Sequence, residues 1–118
     1  TTLVIVDTGP DFSHQMNREK LGVPDAIIIT HDHSDHINGL DELRTLQRLH
    51  KRKFPVHMFA DTHERLLRRL DYMFEERADG FYPAVCDAIV VQKGAEIRIG
   101  DLTMTAFEQD HGTIVSMG

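Results

Sequence analysis

Cysteine is nearly absent: Cys86 is the only one. No disulfide can form within the chain, which suits a reducing compartment, and a buried, inert thiol is the expected role. Positive charge is also short. Thirteen Lys and Arg stand against 19 Asp and Glu, a formal net charge of −6. That argues against a general binder of nucleic acid or of membrane surfaces. A small anionic substrate stays open, because a metal site brings its own positive charge. No apolar run approaches the roughly 20 residues of a membrane span, and no stretch reads as a signal peptide, so the expected location is cytoplasmic. Repeats, low-complexity segments and linkers are missing too. At 118 residues the chain is one domain by length, able to bury about two-thirds of its unfolded surface. Ser34 and Ser116 have no triad partners around them, and no carboxylate pair offers a competing nucleophilic mechanism.

What is present is concentrated in Thr30-His31-Asp32-His33-Ser34-Asp35-His36. In an extended segment alternate side chains share a face, so His31 and His33 point the same way. Asp35 and His36 follow where the chain turns into a helix. Imidazole and carboxylate are ligands of Zn²⁺ and related ions. Five such side chains exceed the needs of one tetrahedral ion, so two adjacent metal sites are the natural reading. That arrangement suits the hydrolysis of esters and phosphates. A solvated His-rich loop is the bland alternative. It would not usually lie between a buried strand, Ala26-Ile27-Ile28-Ile29, and a helical start, Gly39-Leu40-Asp41-Glu42-Leu43.

The rest of the chain alternates strands with helices, which predicts an α/β layered domain. Leu3 to Val6 reads as a buried strand ending at Thr8-Gly9-Pro10, with Asp7 at its end. Phe12 and Met16 mark a short helix to about Lys20, with His14 solvated. A helix is expected from about Ile37 to Arg52, with Leu40, Leu43, Leu46 or Gln47, and Leu49 on its apolar side. The basic run Arg48 to Lys53 then reads as a solvated helix end. Pro55 to Phe59 reads as a strand, with His57 outward or structural. Asp61 is placed to cap the next helix, with Glu64 reaching back. Leu66, Leu67, Leu70, Met73 and Phe74 form its buried stripe, and Arg65, Arg68 and Arg69 lie mainly on the other side. Ala88–Val91, Glu96–Ile99 and Leu102–Phe107 read as strands, the last two joined by a Gly100-Asp101 hairpin turn.

His31-Asp32-His33-Ser34-Asp35-His36 resembles the His-x-His-x-Asp-His signature of the metallo-β-lactamase superfamily. Val4-Ile5-Val6-Asp7-Thr8-Gly9 looks like that family's earlier strand ending in an aspartate, and Asp110-His111-Gly112 like its later histidine motif. The resemblance covers essentially the whole chain. It implies part of a four-layer αβ/βα sandwich. It also implies that His31, His33 and His111 hold one divalent ion, that Asp35 and His36 contribute to a second, and that Asp35 orients the nucleophile. Asp7 would support the loop rather than bind metal, and Asp32 would be solvated. Zn²⁺ and Mn²⁺ both suit such ligands.

Among the branches, Asp7-Thr8-Gly9-Pro10-Asp11-Phe12 and His36-Ile37-Asn38-Gly39-Leu40-Asp41-Glu42-Leu43-Arg44 look most like the cyclic-phosphate phosphodiesterases. These are relatives of the accessory enzyme of phosphonate breakdown and of ribonuclease Z. The implied activity is a metal-dependent phosphodiesterase acting on a small cyclic or nucleotide-like phosphate ester. The alternatives are a ribonuclease Z, which usually carries glycine at the position of Ser34, a thioester or lactam hydrolase, and a non-catalytic metal-binding module. In that branch Phe81 and Tyr82 would lie near the mouth of the site, unless they simply fill packing. The family's bridging aspartate and final histidine have no counterpart before Gly118. The chain also runs straight into a strand at Leu3. A piece of a longer protein is therefore expected, poorly active alone and with open edges that favour homo-oligomers.

Overall fold

The strand Ala26–Ile28 (β2) is buried on both faces, and the molecule is layered around it. The computed structural model describes residues 1–118. Ile27 and Ile29 face one hydrophobic cluster and Ala26 and Ile28 the other, as the two-residue period of a strand requires. The flanking strands are Val4–Val6 (β1), Phe54–Met58 (β3) and Cys86–Val90 (β4). The four form one parallel sheet in the order β1-β2-β3-β4.

Helices Phe12–Arg18 (α1), Leu43–His50 (α3) and Ala60–Phe74 (α4) are distinct in sequence, with the short Ser34–Ile37 (α2) between the first two. Phe12, Met16, Ile37, Leu43, Leu66 and Met73 from these helices pack with Val56 and Met58 on one face of the sheet. The other face is covered by two antiparallel hairpins, Glu96–Ile99 (β5) with Leu102–Thr105 (β6), and Glu108–His111 (β7) with Ile114–Met117 (β8). Ile97, Ile99, Ala106 and Met117 form the core there with Ala26, Ile28 and Val91. Ile99 pairs with Leu102 across the Gly100-Asp101 turn, and Gly100 takes φ +56, the left-handed region such turns require.

Several expectations change. β1 is only half-buried and Val6 is exposed, because it is an edge strand with a partner on one side alone. The helix expected over 37–52 is broken into α2, a 3₁₀ turn at Leu40–Glu42 and α3. The cause is the β1–α1 turn, which presses against the break. Gly39 donates its backbone N–H to the Thr8 carbonyl, and a Cβ there would stand 2.0 Å from the Gly9 carbonyl oxygen. Leu49 is exposed rather than on the apolar side. Asp61 lies inside the first turn of α4, so Phe59 takes the cap position, and Glu64 pairs with Arg68 instead of reaching back. Leu102–Phe107 stops at Thr105, and the chain re-forms as β7, ending at His111.

The C-terminal end of the basic run is paired, while Arg48, His50 and Lys51 are exposed. Arg52 donates to the Pro24 carbonyl and stacks on Phe54, and Lys53 pairs with Glu76. Phe81 is exposed and Tyr82 lies beside the Arg44 guanidinium. The groove at Tyr82 is lined by Tyr72, Arg77 and Asp79 and by none of the histidines. Cys86 is fully buried, and burial pushes its thiol up to about 12.

Candidate metal centre

The loop Thr30 to His33 leaves the end of β2, and α2 begins at Ser34. His33 is extended, φ −63 and ψ 146. The β7–β8 hairpin folds back so that His111 meets this loop, aided by the Met117 N–H donated to the Thr30 carbonyl at 2.9 Å. His31, His33 and His111 converge, with one ligand-type atom from each lying within 4.8 Å of the others. His31 is buried, while His33 and His111 are open to solvent. His36 adjoins this trio, its ring centroid 4.0 Å from that of His31. Asp35 Oδ2 lies 3.4 Å from His36 Nε2.

Asp7 holds the loop from behind. β1 ends there in the left-handed conformation, φ 62, which Asp tolerates better than most residues. Its Oδ1 accepts the Thr30 N–H at 2.8 Å. Its Oδ2 accepts the Thr30 hydroxyl at 2.7 Å and faces His36 Nδ1 at 2.7 Å. These contacts assign two tautomers. A carboxylate only accepts, so His36 Nδ1 carries a proton. The single Thr30 hydroxyl proton goes to Asp7, so that oxygen accepts from His31 Nδ1, 2.9 Å away. With Nδ1 the donor on each ring, Nε2 is the nitrogen left to face a metal, and on His36 it also faces the Asp35 carboxylate at 3.4 Å.

A divalent metal fits these residues on the structure's own terms. His31 Nε2 is buried with no hydrogen-bond partner, a costly state for a polar atom unless something accepts its lone pair. His111 Nε2 and His33 Nδ1 lie 3.3 Å apart, a separation that calls for a proton or a cation between them. Burial first, then the neighbouring His36, His33 and His111, lower the His31 pKa, while Asp7 opposes this. A neutral imidazole is the ligating form.

Asp32 departs from expectation. It is buried, not solvated. Its side chain turns away from the histidines toward α4, where Arg65 Nε donates to Oδ1 at 2.6 Å and Arg69 Nη2 to Oδ2 at 3.0 Å. Burial pushes the carboxyl up, but the Arg65 hydrogen bond and charge outweigh it and hold it below its ordinary value. So Arg65 and Arg69 do not merely line the outer side of α4. The alternation that puts His31 and His33 on one side of the loop puts Asp32 on the other, and the four-residue spacing of Arg65 and Arg69 puts both on one helix face. Ser116, dismissed above as a nucleophile, has its hydroxyl 3.4 Å from His31 Nδ1.

Known proteins resemble this chain. A diphosphatase of the PhnP family superposes with a TM-score of 0.82 at 29% identity, covering 99% of this chain and 43% of that structure. The octanoyltransferase of Porphyromonas gingivalis is 28% identical over 98% of this chain and 23% of its own length. Ribonuclease Z of Thermococcus kodakarensis is 28% identical over 93% of this chain and 34% of its own. The chain thus spans less than half of each. A family model described as the beta-lactamase superfamily domain matches residues 2–117, nearly the whole chain. The chain belongs to that superfamily, and its fold is part of the metallo-β-lactamase fold.

Proposed function

We propose that this chain carries the metal-binding part of a metal-dependent hydrolase acting on a small phosphate ester. The convergence of His31, His33 and His111 on one point, with the lone pair of His31 buried and unpartnered, carries the reading. His31, His33 and His111 would hold one divalent ion, and Asp35 and His36 would contribute to a second, Zn²⁺ or Mn²⁺. When bound, such ions supply an activated water and offset the charge that builds on phosphorus. The chain's own part is orientation. Asp7 holds His36 directly and His31 through the Thr30 hydroxyl. Asp35, with a largely exposed side chain, is free to accept a hydrogen bond from the attacking water and so orient it.

A phosphate ester is preferred because a diphosphatase and a ribonuclease Z are among the similar proteins. RNA processing is the second reading, on the strength of the ribonuclease Z likeness. The acidic balance weighs against nucleic acid. No helix is long and apolar enough to cross a membrane. A cytoplasmic location is part of this proposal, and the free, buried Cys86 is consistent with a reducing compartment.

The test is to assay the intact protein, loaded with Zn²⁺ or Mn²⁺, on cyclic phosphates, a diphosphate ester, bis-aryl phosphate, precursor tRNA, an octanoyl thioester and a β-lactam. Turnover of the small phosphate esters is expected. Turnover of the thioester or the lactam alone would overturn the choice, and precursor tRNA alone would favour the second reading. Full metal loading without any turnover would indicate a binding module.

A further inference from the structure

Asp32 sits between two of the metal-facing histidines and points the other way. Both of its carboxylate oxygens are taken, each by a different arginine of α4. Arg69 Nη2 also donates to the Asp32 backbone carbonyl at 2.5 Å. The peptide joining His31 to His33 is therefore gripped at side chain and backbone by one helix. The pair is not an ordinary surface contact: the Asp32 side chain is 12% exposed and that of Arg65 28%. Holding Arg65 there leaves its Nη2 buried and without a partner, a cost that a loose surface pair would not carry. A guanidinium presents donors in a rigid fork, so the grip sets direction as well as distance. The loop has few other anchors at this point. Asp7 fixes Thr30 and His36 at its two ends, and the hairpin holds the Thr30 carbonyl.

We propose that Asp32, held by Arg65 and Arg69, is the positioning residue that sets the spacing and orientation of His31 and His33 as a metal-binding pair. The proposal rests on the metal reading above and assigns the clamp no contact with the ion. Losing a partner that orients a ligand costs about 10- to 100-fold in metal affinity.

Co²⁺ is the probe, because its visible absorption band reports ligand geometry and not global stability. In the intact protein, Asp32→Asn, Arg65→Gln and Arg69→Gln should each weaken Co²⁺ binding by about 10- to 100-fold and change the band. Asp32→Asn/Arg65→Gln should be no worse than the weaker single variant, since both break one unit. Arg65→Lys, which keeps the charge, should recover part of the affinity. Wild-type affinity and band in all three single variants, whatever their stability, would overturn the proposal. Loss in Asp32→Asn with both arginine variants unchanged would also overturn it, by making Asp32 itself a ligand. Should Asp32→Asn fail to fold, Arg69→Gln decides, because that side chain is 47% exposed and its loss is tolerable. His33→Ala is the control. Equal Co²⁺ binding in His33→Ala and wild type would refute the metal reading itself, a result distinct from intact binding that the clamp variants leave untouched.

Discussion

Asp7→Asn separates the charge of the supporting residue from its shape. Asn is nearly isosteric and tolerates φ 62 about as well as Asp, so backbone strain does not change. The wild-type carboxylate takes three hydrogen bonds, at 2.8, 2.7 and 2.7 Å. With its oxygen kept on the Thr30 N–H, the new amide can donate to the Thr30 hydroxyl, so two contacts survive in altered form. The third cannot, because the amide and His36 Nδ1–H are both donors. His36 must shift its proton to Nε2 or lose the contact. One charge-assisted hydrogen bond at a site 17% exposed is worth about 1.5–3 kcal/mol. Metal-free protein should therefore unfold in urea with roughly 2 kcal/mol less stability. Metal affinity should fall about 10- to 100-fold, since the Nε2 lone pair is no longer secured. Long-range ¹H–¹⁵N spectra of metal-free protein should show His36 protonated on Nδ1 in wild type and on Nε2 in the variant. An unchanged tautomer with undiminished metal affinity would refute the reasoning.

Gly39→Ala puts a Cβ 2.0 Å from the Gly9 carbonyl and 2.7 Å from Phe12 Cβ, so a loss of about 1–3 kcal/mol or more is expected. Gly22→Ala, with nothing within 4 Å, should stay within about 1 kcal/mol of wild type, and denaturant titration of the two separates close approach from a general effect of removing glycine. Burial lowers the His57 pKa below its ordinary 6.5, with the Ile27 backbone opposing. As pH falls through 6.5 the unfolded chain gains a proton that the folded chain resists, so stability falls with pH until the folded value is passed. His31 acts in the same direction. In His57→Gln the slope of unfolding free energy below pH 6.5 should be shallower, by at most about 1.4 kcal/mol per pH unit. Cys86, buried with its thiol pushed up to about 12, should resist thiol reagents near neutral pH while folded and react once urea unfolds the chain.

Local order alone determined much of this protein. The apolar run 26–29, with turn residues before it and ligands after it, allowed only a buried strand feeding a loop, and β2 is that strand. The side-chain period of two put His31 and His33 on one side whatever the rest of the fold did. Of the stripe expected on α4, Leu66 and Met73 are buried, while Leu67, Leu70 and Phe74 are only partly so, and the helix departs from regular geometry at Leu70 (φ −127). Long-range contact decided the rest. Nothing near Gly39 in sequence showed that the turn at Gly9 would press against it and break the helix expected over 37–52. Nothing near Arg65 showed that α4 would face the loop, so its arginines read as a solvated face and Asp32 as a solvated loop residue. The same i, i+4 spacing serves a solvated face and a clamp, and only the docking of α4 against the sheet distinguishes them. The proton on His36 Nδ1 is decided the same way. Asp7 lies 29 residues earlier in the chain, and only the parallel pairing of β1 with β2 carries its carboxylate to that ring.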